Sequence, residues 1–174
     1  LKVILLKRHP ADVVYSWYKR GWGIRYQDND PLAFMPLLEK NKYYFPWYVN
    51  NWENEYSSIS EVEKIIKSIS VLMRLEQDSF ESLSSNDKKK ILIISYENLL
   101  ENPFDEISKI MNFLGKNSST RMAKILDQEK CPNKISIKNR EKKISEISKN
   151  SQSHYFDILL ERISIYEKRF STDK

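Results

Sequence analysis

The segment Lys7-Arg8-His9-Pro10-Ala11-Asp12-Val13-Val14-Tyr15-Ser16 brings a guanidinium, an imidazole, a carboxylate and a hydroxyl close together in the chain. It follows directly on the apolar run Val3, Ile4, Leu5 and Leu6, so it stands where a strand passes into a helix. In open α/β sheets, ligands bind beyond the carboxyl ends of the strands. A helix N-terminus at that place offers free N–H groups and partial positive charge, which suit a phosphate-like anion. Arg8 at the strand end would supply a bidentate fork for the same anion. Ser16 would add a hydroxyl donor from the ligand-facing side of the helix. One charge-assisted bond of this kind contributes about 1.5–3 kcal/mol, so the pair would suffice to fix a phosphate. The same residues admit a plainer reading, in which Arg8 pairs with Asp12 at the surface and Ser16 fills a helix. Residue types and spacing leave both open.

The elements that must position this segment follow from periodicity. Residues 2–7 read as a short buried strand, because a contiguous apolar run fits a strand covered on both faces. Pro10 suits a first helical turn and Asp12 complements the dipole there. The helix should run through Trp17 and Tyr18 to about Arg20 and end at Gly21. Residues 28–36 are turn-rich, and residues 43–56 are dense in aromatics. From Glu61 to about Leu83, Val62, Ile65, Ile66, Ile69, Leu72 and Met73 fall on one helical face. A polar loop is expected at residues 84–90 and a second buried strand at residues 91–94. Asn102 can cap the next helix, with Pro103 at its first position and Gly115 at its end. Residues 118–128 suggest another helix, and residues 130–149 a polar, basic loop around short ordered pieces. A last amphipathic helix carries Phe156, Leu159, Leu160, Ile163, Tyr166 and Phe170. Strand–helix, a helical excursion, then strand–helix predicts helices on a parallel sheet. Two strands are too few for that sheet. The chain starts at Leu1 inside the strand-like run, without Met or signal peptide, and the missing strands are expected upstream.

Composition narrows the class. The 174 residues suffice for one domain with a sizeable core, and 40% hydrophobic with 30% charged residues is the balance of a soluble globular chain. Aromatics at 12% argue against disorder. No apolar run approaches the ~18 residues of a membrane span. The single Cys131 excludes an internal disulfide, and with His9 and His154 alone beside it a Cys/His zinc site is excluded too. One unpaired thiol fits a reducing, cytoplasmic setting. A net charge of +5 suits an anionic ligand as well as nucleic acid. None of the three glycines lies in a Walker or dinucleotide-binding pattern.

The run from Val3 through Arg8, Pro10, Asp12 and Ser16 to Tyr18 resembles the 3′-phosphate-binding segment of the sulfotransferases that use 3′-phosphoadenosine 5′-phosphosulfate (PAPS). That family's segment reads strand, Arg, Asn or a similar residue, Pro, any residue, Asp, three residues, Ser. A second stretch, Ile91-Leu92-Ile93-Ile94-Ser95-Tyr96-Glu97-Asn98-Leu99, resembles the family's later strand, and Phe113-Leu114-Gly115 the end of the helix after it. The resemblance implies an α/β fold with a P-loop-NTPase-like parallel sheet flanked by helices. Residues 1–174 would be a single truncated domain, its incomplete, helix-rich C-terminal part. Arg8 and Ser16 would bind the 3′-phosphate and Tyr96 would lie near the adenosine. Asp12 reads as a helix-start residue, and His9, in place of the usual Asn, as a turn residue. The implied reaction moves a sulfuryl group from PAPS to a hydroxyl or amine of a small-molecule or carbohydrate acceptor, with no metal and no nucleic acid partner.

This sequence departs from the family pattern in several places. The Gly-rich loop with Lys that wraps the 5′-phosphosulfate, and the catalytic base, are expected upstream of Leu1, so no catalytic residue is assigned and the chain alone is expected to be inactive. The late Arg-Lys-Gly motif has no clear match. Lys134, Lys138, Arg140, Lys142 and Lys143 lie in about its region and read first as a solvated charge run, with cofactor or acceptor contact as the other reading. Trp22 and the aromatics of residues 43–56 read first as core, and second as an acceptor surface suited to a sugar. Two rivals stand beside the sulfotransferase. A nucleotide kinase of related architecture would need a Walker loop. A basic nucleic-acid-binding module would need a continuous basic face, whereas residues 61–83 and 103–115 carry mixed charge.

Overall fold

The computed structural model describes residues 1–24, 36–117 and 121–170. In chain order, strand β1 (Val3–Lys7) leads into helix α1 (Pro10–Lys19), with Pro10 at the start and Asp12 in the first turn. Gly21 then takes φ 65°, and the N–H groups of Trp22 and Gly21 close on the carbonyls of Trp17 and Tyr18. This is the left-handed helix stop that glycine adopts without strain. Strands β2 (Leu37–Lys40) and β3 (Tyr43–Pro46) pair antiparallel around Asn41 and Lys42, both at positive φ. One 3-10 turn (Trp47–Val49) follows, then α2 (Glu53–Ser58) and the long α3 (Glu61–Ser82). The short α4 (Ser85–Lys88) precedes β4 (Ile91–Ser95), α5 (Tyr96–Glu101), α6 (Pro103–Leu114) and α7 (Met122–Gln128). Helices α8 (Ile137–Lys149) and α9 (Ser153–Phe170) complete the described chain. The fold is α/β, with a parallel pair of strands flanked by helices, as expected.

The chain divides into two compact units. The first, Leu1–His9 with Ser79–Lys138, holds β1 and β4 in parallel register from Val3↔Ile91 to Lys7↔Ser95. Helices α5 and α6 pack on each other and on β4. Ile94 and Ser95 are buried, whereas Val3, Ile4 and Leu6 of β1 are exposed. The expectation that β1 is covered on both faces is therefore corrected. A contiguous apolar run reports what a strand needs, but cover comes from elements packed over it, and among the described residues β1 pairs with β4 alone.

The second unit, Pro10–Asp78 with Asn139–Lys174, contains the larger apolar core. Ala11 and Val14 of α1 meet Val62, Ile65, Ile66 and Ile69 of α3, Ile147 of α8, and Tyr155, Leu159 and Ile163 of α9. Burying each of the Val, Ile and Leu side chains among them contributes about 1.5–3 kcal/mol. The carboxylate of Glu63, 3% exposed, accepts the backbone N–H groups of Ser60 and Gln152, both at 2.8 Å. It thereby caps α3 and ties it to the start of α9. Burial pushes the Glu63 carboxyl up, but these hydrogen bonds outweigh it and hold it below the ordinary range.

Several local expectations change. Residues 130–136 are irregular, as expected of a loop, but residues 137–149 are helical: Ile144 and Ile147 lie at helical spacing, and docking of Ile147 into the core with Ile144 packed against it selects α8. The polar stretch 84–90 contains the one-turn α4, with the Ser84 side chain accepting the Asp87 N–H. Asn102 stands at the N-cap of α6 without a side-chain cap bond. The aromatic stretch divides, with Tyr48 and Tyr56 buried in a second small core while Tyr43, Tyr44 and Trp47 are exposed. The turn expected at residues 28–36 lies, apart from Pro36, outside the described residues, as do residues 118–120 of the expected 118–128 helix.

Candidate anion site at the carboxyl ends of the parallel strands

Parallel pairing brings the carboxyl ends of β1 and β4 to the same edge, at Lys7 and Ser95. The next residue of each strand is a predicted site residue. Arg8 is exposed and places its guanidinium 5.2 Å from the centre of the Tyr96 ring. This is a cation–π arrangement worth about 0.5–1 kcal/mol at an exposed position. It holds the long side chain at the sheet edge while its N–H donors stay available. Among the described residues no carboxylate pairs with Arg8.

Beside this pair the backbone is pinned by side chains. His9 is 1% exposed, and its backbone N–H donates to Glu97 Oε1 at 3.0 Å. The Ser95 hydroxyl donates to Glu97 Oε2 at 3.2 Å and accepts the Asn98 N–H at 3.2 Å, which caps α5. His9 is thus a residue of the strand-to-helix bend, in keeping with its reading as a turn residue. Glu97 was not singled out from the sequence, where a carboxylate after a strand carries no sign of the backbone it will meet.

The remaining residues lie in the second unit. Ser16 is half-buried on α1. Asp12, 6% exposed, accepts from Arg140 Nε at 3.1 Å and Nη2 at 3.0 Å, and its other oxygen accepts from Lys143. Burial pushes the Asp12 carboxyl up, but the hydrogen bonds and charges of Lys143 and Arg140 outweigh it and hold it below the usual range. Asp12 is therefore a buried anchor rather than a surface partner for Arg8. The basic stretch divides accordingly. Lys134, Lys138 and Lys142 are exposed to solvent, while Arg140 and Lys143 are engaged by Asp12, a structural role that the sequence reading did not include.

Among the described residues, no group of three or more His, Cys, Asp or Glu is placed to hold a metal ion. No helix among them is long and apolar enough to cross a membrane. A cation on an aromatic ring at the carboxyl ends of parallel strands is suited to an anionic, ring-bearing ligand such as a nucleotide. Comparison with curated proteins and with solved structures found no match. A family model described as the sulfotransferase domain matches residues 1–158, a span that includes both strands, the Arg8–Tyr96 pair and Ser16. The chain therefore belongs to the sulfotransferase domain family.

Proposed function

We propose that the protein transfers a sulfuryl group from PAPS to a hydroxyl or amine, and that Arg8, Ser16 and Tyr96 hold the 3′-phosphoadenosine end of the donor. The observation that carries this reading is the Arg8 guanidinium over the Tyr96 ring at the strand ends. A guanidinium fork matches two phosphate oxygens, and the half-exposed ring of Tyr96 offers an apolar surface to adenine. Ser16 supplies a hydroxyl donor, a role supported by its match to the family's segment. A donor bound there carries the sulfuryl group, whose transfer resembles phosphoryl transfer and depends on positioning and electrostatics. Arg8 holds the end remote from the sulfur, so its binding energy keeps the donor aligned and its loss lowers turnover as well as affinity. The net charge of +5 favours approach of such an anion.

The acceptor is a small molecule or a carbohydrate. The exposed rings of Tyr43, Tyr44 and Trp47 favour the carbohydrate, because aromatic faces pack against sugar C–H surfaces. The free Cys131 suits a cytoplasmic setting. The test uses protein expressed from its natural start and immobilised adenosine 3′,5′-diphosphate. Wild type is retained, and Arg8→Ala loses affinity by about 10–100-fold, the equivalent of one charge-assisted hydrogen bond. Equal retention of the two proteins removes Arg8 from the site.

A further inference from the structure

Glu97 is buried to 9% exposure although it is a carboxylate beside an exposed cation site. The parallel ladder stops at Lys7↔Ser95. Continued by one and two steps, the register would set Arg8 beside Tyr96 and His9 beside Glu97. The backbones part there instead, because Pro10 opens α1 and Tyr96 opens α5. The His9 N–H, which a longer ladder would have engaged, is taken by Glu97 Oε1 at 3.0 Å. That N–H belongs to the planar peptide unit joining Arg8 to His9, so the bond sets the direction in which the backbone leaves the Arg8 Cα. Glu97 is itself oriented from the other side by the Ser95 hydroxyl, which also caps α5. The residue before Glu97 is Tyr96, whose ring carries the Arg8 guanidinium. One buried carboxylate therefore links the backbones of the two residues that form the cation–π pair.

We infer that Glu97 is a positioning residue: its carboxylate clamps the Arg8–His9 peptide and so holds the Arg8 guanidinium over Tyr96 in the place where a nucleotide phosphate is received. The inference rests on the nucleotide reading above and assigns Glu97 no contact with substrate. It makes reach, not charge, the property that matters. Glu97→Gln keeps a carbonyl oxygen at the same length and can still accept the His9 N–H. Glu97→Asp keeps the charge but is one methylene too short.

The experiment measures the Kd of adenosine 3′,5′-diphosphate, with urea unfolding as a control, on protein expressed from its natural start. Glu97→Asp is expected to bind about tenfold more weakly, and Glu97→Gln within about threefold of wild type. A purely structural role predicts instead that the losses from Glu97→Asp and Arg8→Lys multiply in the double variant. Action through Arg8 predicts that Glu97→Asp costs less than about twofold once Arg8→Lys is present, because coupled residues are not additive. Multiplying losses, or equal binding by wild type, Glu97→Asp and Glu97→Gln, overturn the inference while leaving the nucleotide reading intact. Failure of wild type to bind the nucleotide overturns that reading, and the inference with it. The His9 amide of the wild type gives a readout that needs no variant. Slowed hydrogen exchange is expected, and exchange at the rate of an open loop overturns the clamp even if Glu97→Asp does not fold.

Discussion

Replacing Asp12 by Asn removes one charge from the first turn of α1 and changes little else in shape. The carboxylate is 6% exposed and is shared by Arg140, through two nitrogens at 3.0 and 3.1 Å, and by Lys143. Breaking a fully buried ion pair by removing one partner costs about 3–5 kcal/mol, because the other charge stays buried. Here the cations are 18% and 30% exposed at their side chains, so part of their hydration returns. That discount brings the expected loss to about 2 kcal/mol. At a urea m-value of about 2 kcal/mol per molar, the unfolding midpoint should fall by about 1 M with the slope unchanged. The pH dependence gives a second check. The folded carboxyl lies below its ordinary 3.8, so the stabilisation is fully present well above that value and is lost as pH falls through the lower folded value. The gap between wild type and Asp12→Asn should therefore be constant near neutrality and close in acid. A midpoint shift under about 0.2 M, or a gap that widens rather than narrows as the solution is acidified below the ordinary carboxylate range, would refute the argument that Asp12 anchors α8 to α1.

Other expectations follow from the same geometry. Tyr155 donates its hydroxyl to Glu55 at 2.8 Å, and Tyr155→Phe should cost about 1 kcal/mol in urea unfolding at pH 7. Burial, then the bond to Glu55, raises the phenol well above its usual range, so this stabilisation is complete below the ordinary 10.0 and declines as pH rises beyond it. At Gly23 an added Cβ would lie 2.6 Å from Glu61 Cγ and 3.0 Å from the Glu61 carbonyl oxygen, so Gly23→Ala should cost about 2 kcal/mol. Gly115→Ala meets no atom within 4 Å and should cost only the left-handed strain of about 1 kcal/mol, a smaller drop in thermal midpoint. Lys42, at φ 68° in the two-residue hairpin turn, should accept Gly with a gain of up to about 1 kcal/mol, read as a raised midpoint. Unchanged or lower stability there would argue against the turn geometry.

The junction that carries the candidate site was legible because its signals are local. Pro10 starts α1 by its fixed φ, Gly21 and Gly115 stop α1 and α6 by adopting positive φ, and Arg8 falls at a strand end by counting from Leu6. The hairpin of β2 and β3 was not legible, since its turn is Asn41-Lys42 rather than a glycine-containing pair, β3 reads as part of an aromatic cluster, and the four residues of β2 carry no strand pattern of their own. Helix α8 was hidden because Ile137, Ile144 and Ile147 are its only apolar residues, and Ile137 is exposed. Burial of Ile147 in the core supplies what those three residues signal too weakly. The aromatic stretch divided between core and surface for a related reason. Period and residue type do not say which side of a turn faces α3.

The amino-acid order alone determined that a buried-type strand turns into a helix at Pro10, that a second such strand precedes Tyr96, and that a cation and an aromatic ring follow them. Each depends on interactions among residues within a few positions of one another. Tertiary structure decided the partners of the charges. Arg140 and Lys143 meet Asp12 across separations of 128 and 131 residues, and Glu97 meets the His9 backbone across 88. A carboxylate or an ammonium reads the same in sequence whether it ends in water, on an ion pair or on a backbone N–H. Packing chooses among these, because only the folded chain sets which donors stand within hydrogen-bond reach and how much water remains to compete.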